Sequence, residues 1–215
     1  MTRILLVRHA QSEWNAVGRW QGWADPPLSA LGRSQAATAA RRLLDTADLV
    51  GAGVRPATVV ASDLQRAATT ATALAAVALP GTAIKVDPAW REYRVGAWSG
   101  LTRSQIEQRW PGLLGRWDLG ELHTPPGGEP REDFDARLSK ALDRVASDAG
   151  EDGECLVVSH GGVIRAIARR LGQPAWRVGN LAGIELEGAP GGYEIRCLID
   201  LLAPPRCEGA SEKRP

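Results

Sequence analysis

The sequence predicts an α/β fold: a three-layer αβα sandwich on a mostly parallel central sheet with an antiparallel edge strand. Three observations predict it. Short apolar runs of strand length alternate with long alanine- and leucine-rich stretches at helical spacing. The runs at 4–7, 57–61 and 155–158 read as strands covered on both faces, as in a parallel sheet. The last two expected strands succeed each other with no helix between them.

In chain order, residues 3–8 form a short buried strand. Leu28-Ser29-Ala30 opens a helix to about Asp45, with Ser29 as N-cap. A second strand spans 57–61, and Ser62 or Asp63 caps a second alanine-rich helix that Pro80-Gly81 ends. A short strand is expected at 84–86. Residues 88–130 are rich in Trp, Gly and Pro and read as irregular, with one short helix near 103–109. Pro130 suits the first turn of a helix to about Ser147. A strand at 155–159 leads through Gly161-Gly162 into a helix with Val163, Ile164, Ile167 and Leu171 on one face. Strands near 183–187 and 193–199 complete the sheet. The expectation is a single domain over 1–203, with an irregular insertion at about 88–130 and a polar tail at 204–215.

Composition narrows the function classes. The net charge of +1 points to no nucleic-acid partner and no acidic membrane surface. Arginine accounts for 23 of the 26 basic residues, a bulk bias that names no site by itself. Three cysteines without paired spacing favour a reducing compartment. With no signal-peptide pattern and no apolar run of membrane length, a cytoplasmic protein is expected. The sequence leaves monomer and homodimer both open. Gly51-Ala52-Gly53 lacks the third glycine of a dinucleotide fingerprint. Gly96 to Gly100 puts its serine one place late for a nucleophile elbow. His9, His123 and His160 have no metal-ligand spacing, and nothing calls for a metal or another cofactor.

Two apolar strands end in unusual pairs, Arg8-His9 and Ser159-His160. In open α/β sheets ligands bind beyond the carboxyl ends of strands. Taken singly, each pair reads as an ordinary strand end or turn. Arg66 reads as a solvated helix residue, and Glu92 as the partner of a nearby arginine. Together, RHAQSEWN, SDLQRAATTA, REYRVGAWSG and VSHGG resemble the four signatures of the histidine phosphatase superfamily, the branch holding the cofactor-dependent phosphoglycerate mutases and many small phosphatases. GWADPPLSALGRSQA is similar to the segment just beyond the first signature in that family. The resemblance runs from about residue 3 to 172. One departure stands out: Ala10 comes after the first histidine where the family usually has glycine. Its methyl is expected to crowd the phosphate approach mildly.

The resemblance implies a phosphomonoester hydrolase acting through a phosphohistidine on a small phosphorylated metabolite. His9 is the implied nucleophile, and the adjacent cations favour the neutral ring that it needs. Its other ring nitrogen then needs an acceptor such as a backbone carbonyl. Arg8 and Arg66 are rigid forks for the phosphoryl oxygens. His160, if protonated, adds a third cationic donor, and Asn15 an amide N–H. Gln21, Gly22 and Gly161 complete the implied substrate contacts. Glu92 is the implied proton donor to the leaving alkoxide, a role that burial of a carboxyl suits. Trp20 and Trp23 are expected to face the organic part of the substrate.

The family's mutases resemble Glu-Arg-His-Tyr after the acid and His-Gly-Asn after the second histidine. Here the residues are Glu92-Tyr93-Arg94-Val95 and His160-Gly161-Gly162. A phosphatase is favoured, a phosphoglycerate mutase is the alternative, and a non-catalytic phosphate-binding module is the reading from another class.

Overall fold

The computed structural model describes residues 1–45, 56–174 and 176–203. The Gly51 motif and the polar tail at 204–215 lie outside these residues. Six strands form one sheet: β1 (Thr2–Arg8), β2 (Thr58–Ala61), β3 (Ile84–Val86), β4 (Glu154–Ser159), β5 (Ala182–Ala189) and β6 (Gly192–Asp200). Their order is β3-β2-β4-β1-β5-β6. β1 to β4 are mutually parallel, and the antiparallel edge is a β5–β6 hairpin whose inner strand pairs with β1.

Strand alternation divides the core. Ile4 and Leu6 of β1 join Val157 of β4 on one face, beneath α6 (Arg131–Ala149) and α7 (Gly161–Arg170). Leu5 and Val7 join Leu156 and Val158 on the other, beneath α2 (Ala30–Asp45) and α3 (Gln65–Ala78). Both faces are covered, so β1 and β4 are nearly continuous apolar runs. The layer under α2 and α3 is rich in alanine, which lets those helices pack closely. The opposite layer is filled by Trp90, Trp98, Ile106, Phe134 and Leu138.

Several local details differ from the sequence expectation. Ser29 does cap α2, accepting from the Gly32 amide at 3.0 Å. Neither Ser62 nor Asp63 caps α3. Leu64 occupies the cap, and Asp25 of a distant loop accepts from the Gln65 amide instead. Asp63 is occupied by Arg91 and Ser62 by His160. Two short helices are additional to those expected, α1 (Glu13–Ala16) and α5 (Leu113–Asp118), beside the expected α4 (Arg103–Arg109). Helices of four and six residues are too short for a periodic apolar face to be seen.

Candidate functional site

β1 and β4 are parallel neighbours in the register Arg8 opposite Ser159. Each strand continues into a histidine. His9 and His160 therefore leave adjacent strand ends on the same edge of the sheet, and the His9 amide adds one more rung to Ser159 O at 2.9 Å. The ring centroids are 5.2 Å apart with planes at 64°. Both side chains are buried.

His9 Nδ1 lies 2.7 Å from the carbonyl oxygen of Ala10. A carbonyl only accepts, so Nδ1 carries the hydrogen and Nε2 carries the lone pair. Arg66 Nε donates to that Nε2 at 3.3 Å. Burial first, then the Arg66 and Arg8 charges, hold the His9 imidazole well below its ordinary pKa. The ring is neutral, with its basic nitrogen turned toward the Arg66 guanidinium. Asn180 Nδ2 donates to the His9 carbonyl at 2.9 Å and steadies the strand end.

Arg66 enters from the first turn of α3 and is almost fully buried. Its Nη1 donates to Ala24 O and its Nη2 to Gly22 O, both at 2.8 Å. Burial pulls its pKa down to about 10, so it remains protonated at neutral pH. Arg8 is likewise lowered to about 10 by burial, with Glu92 opposing and Arg165 and Arg177 assisting. Arg8 Nη1 donates to Val178 O at 2.8 Å, whereas its buried Nε has no protein partner.

His160 is the N-cap residue of α7. Its Nε2 is 2.9 Å from Ser62 Oγ, which itself accepts from the Leu64 amide. Ser62 Oγ keeps a second lone pair, so this contact is compatible with either ring tautomer, while the buried Nδ1 has no protein partner. Burial first, then Arg66, His9, Arg8 and Arg137, push this imidazole well below its ordinary pKa. The expectation of a cationic donor applied to a protonated ring, and this environment disfavours protonation.

Glu92 reaches the cleft from a loop after β3 and is half-buried rather than enclosed. Its Oε1 accepts from the Tyr93 amide at 2.8 Å and its Oε2 from the Gly162 amide at 3.0 Å. A Cβ at position 162 would come within 2.1 Å of Glu92 Oε1, so this placement requires glycine there. Gly161 has only ordinary contacts around such a Cβ, the nearest being Arg8 Cδ at 3.4 Å. Asn15 lines the cleft, and its Oδ1 accepts from the Ser12 amide in a capping box, leaving the amide's donor half available. Gln21 Oε1 accepts from Ser12 Oγ at 2.9 Å. Gly22 sits at φ +51°, and a side chain there would strike Val95.

Most of these residues line a cleft of about 750 Å³, whereas the buried His160 and Gly161 do not. Arg8, His9, Asn15, Gln21, Gly22, Arg66 and Glu92 all line it. Its apolar lining, the outer end, is formed by Trp20, Trp117, Leu119 and Phe134, and Arg165 lies beside Gly161 and Arg8. Trp23 is not part of the wall. It stands outside, under the Arg91 guanidinium at 4.8 Å, and donates to Glu92 O. Trp90 and Trp98 are core residues. The Ala10 methyl packs into the apolar layer beneath α2 and α3 rather than into the cleft, so it does not crowd the phosphate approach. His123 is exposed and faces Glu132. Glu129 is buried against Arg137.

Ser62, Asn180, Arg137 and Trp117 also build the site, and sequence reasoning missed them. Ser62 carried a local signal, but for the wrong role, a helix cap. Asn180 lies in a segment with no periodic pattern, and its use depends on β5 pairing with β1. Among the described residues, no group of three or more His, Cys, Asp or Glu side chains is placed to hold a metal ion, and no helix is long and apolar enough to cross a membrane.

Residues 4–198 match the family model of the histidine phosphatase superfamily (branch 1). Glucosyl-3-phosphoglycerate phosphatase of Mycolicibacterium vanbaalenii is 34% identical over a 219-position alignment that covers 93% of each chain. A 2,3-bisphosphoglycerate-dependent phosphoglycerate mutase of a Chelativorans species is 34% identical, covering 77% of this chain and 79% of its own. Among solved structures, a mycobacterial glucosyl-3-phosphoglycerate phosphatase in complex with VO3 superposes with a TM-score of 0.78. It is 33% identical and the match covers 90% of this chain and 96% of that one.

Proposed function

The chain belongs to branch 1 of the histidine phosphatase superfamily, and from that membership we propose that it hydrolyses a small phosphorylated metabolite through a phosphohistidine at His9. The observation that carries this reading is the neutral His9 ring. Its tautomer is set by Ala10 O, and its Nε2 faces the Arg66 fork.

The phosphoryl group sits over His9 Nε2, with its oxygens taken by Arg8, Arg66, the His160 N–H and the Asn15 amide. Nε2 attacks phosphorus in line, an N–P bond forms, and the bond to the ester oxygen breaks. Glu92 gives its proton to the departing alkoxide. In the second half Glu92 takes a proton from water, the resulting oxygen attacks phosphorus, the N–P bond breaks, and phosphate leaves. Charge neutralisation and positioning carry most of the acceleration, because phosphoryl transfer asks little covalent chemistry of the protein. The cations approach the dianion as it enters, and the dianion in turn favours protonation of His160.

The mutase reading has a relative of that name in its favour. Against it stands Gly162, where the family's mutases resemble asparagine. A side chain at this position would push the flexible end of Glu92 off the Gly162 amide that it accepts from. The substrate chemistry of the first relative, a phosphorylated glyceric acid carrying a sugar, fits a cleft whose outer wall is aromatic. A panel of phosphorylated metabolites, glucosyl-3-phosphoglycerate among them, tests the proposal by phosphate release beside 3- to 2-phosphoglycerate conversion. Release with negligible interconversion is expected. Efficient interconversion with little release would establish a mutase.

A further inference from the structure

Glu92 is held by backbone contacts that come from behind the cleft. Arg137 lies in the second turn of α6. Its Nη1 donates to Ala89 O and to Arg91 O, both at 2.8 Å, and its Nη2 donates to Glu92 O at 2.9 Å. The same guanidinium is paired with Glu129, from Nη2 at 2.9 Å and from Nε at 3.2 Å. Glu129 Oε1 also accepts from the Arg94 amide at 2.7 Å. One ion pair therefore binds backbone groups of residues 89, 91, 92 and 94, on both sides of the proposed acid. Neither Arg137 nor Glu129 lines the cleft.

A mostly buried ion pair is an inefficient way to stabilise a fold, since desolvation cancels much of the attraction. It is an effective way to fix geometry, because a rigid fork bonded to three carbonyls leaves the loop little freedom. Without it, the carbonyls of Ala89 and Arg91 would be short of partners in a partly buried region, while Glu92 O would keep its bond from Trp23 Nε1. We propose that Arg137 and Glu129 form a positioning clamp that sets the Glu92 carboxyl at the distance needed to protonate the leaving oxygen. The inference rests on the assignment of Glu92 as the acid.

Leaving-group dependence tests it. An alkoxide needs a proton as it departs, whereas 2,4-dinitrophenolate does not. The quantity to compare is kcat/KM, which reports transfer to His9, for glycerol 3-phosphate and for 2,4-dinitrophenyl phosphate. Arg137→Gln is expected to lower the first by about 10²-fold, the cost of a misplacement near 1 Å. It is expected to leave the second within about threefold, since no acid is then required. Glu129→Gln, which keeps the side-chain shape, should show the same split to a smaller degree. It carries the comparison if Arg137→Gln fails to fold. Equal losses on both esters, or no loss on either, would overturn the clamp. Glu92→Gln serves as the reference. If it shows the split and the clamp variants do not, the clamp alone is wrong. If it shows none, the acid assignment falls and takes the clamp with it.

Discussion

The two ends of the cleft are built differently. At the end proposed to take the phosphoryl group, Arg8-His9 and His160 extend two adjacent parallel strands, and Arg66 sits one residue into a helix that comes after the next strand. Sheet register brings the strand-end residues together, and bonds to Gly22 O and Ala24 O place Arg66 beside them. The outer end is assembled from Trp20, Trp117, Leu119 and Phe134, side chains of loops and helices with no common ladder. A cradle for a group of fixed shape is supported by backbone hydrogen bonds, whereas the wall facing a variable organic group is supported by packing. Substitutions at the inner end should therefore stop chemistry, and those at the outer end should change which ester is accepted.

His9→Ala is the harshest break. Removing the nucleophile should lower kcat by at least about 10⁴-fold, the scale seen when a covalent catalyst loses its attacking group. Steady-state phosphate release measures it. Arg66→Gln should cost on the order of 10²–10³ in kcat, the typical loss of one preorganised transition-state donor. That loss should appear for every ester tested, because the role proposed for the fork is to grip the phosphoryl group alone.

The inner end also carries a pH signature. Both buried imidazoles have pKa values below the ordinary histidine value of 6.5 in the folded protein. The unfolded chain thus binds more protons below about pH 6.5, and stability falls as pH drops through that window. Each histidine contributes at most about 1.4 kcal/mol per pH unit. Urea unfolding at pH 7.5 and 5.5 should show this loss, and His160→Asn should remove about half of the histidine part. An unchanged slope in that variant would mean that the ring is not held neutral.

The outer end should respond least. Trp20→Ala should raise KM by about tenfold for a large ester, the worth of one aromatic contact, with little change for p-nitrophenyl phosphate. Equal effects on both would show that Trp20 supports the fold through its edge contact with Trp98 rather than the substrate.

The same contrast explains what could be read from the sequence. The strands carrying Arg8-His9 and Ser159-His160 are legible because buried parallel strands are short apolar runs, and a polar pair at such an end stands out. Arg66, Glu92 and Asn15 are legible only through resemblance, since each alone is an ordinary surface residue type. The four-residue α1 and six-residue α5 are shorter than the window that periodicity needs. The protonation of His160 is not legible because its partner Ser62 and the nearby Arg137 come from other elements. Trp23 is misplaced by sequence because its proximity to Gln21 and Gly22 does not say which way a side chain turns. Arg137 gives no signal, as one arginine among the 23 of the chain.

Trapping the phosphoenzyme tests the central claim most directly. Rapid quench under alkaline conditions after mixing with substrate, then mass mapping, should find one phosphoryl group on the peptide containing His9. That group should be labile to acid, as an N-linked phosphoryl is, and absent from His9→Ala. Full turnover by His9→Ala, or a phosphoryl group trapped on another residue, would contradict the account.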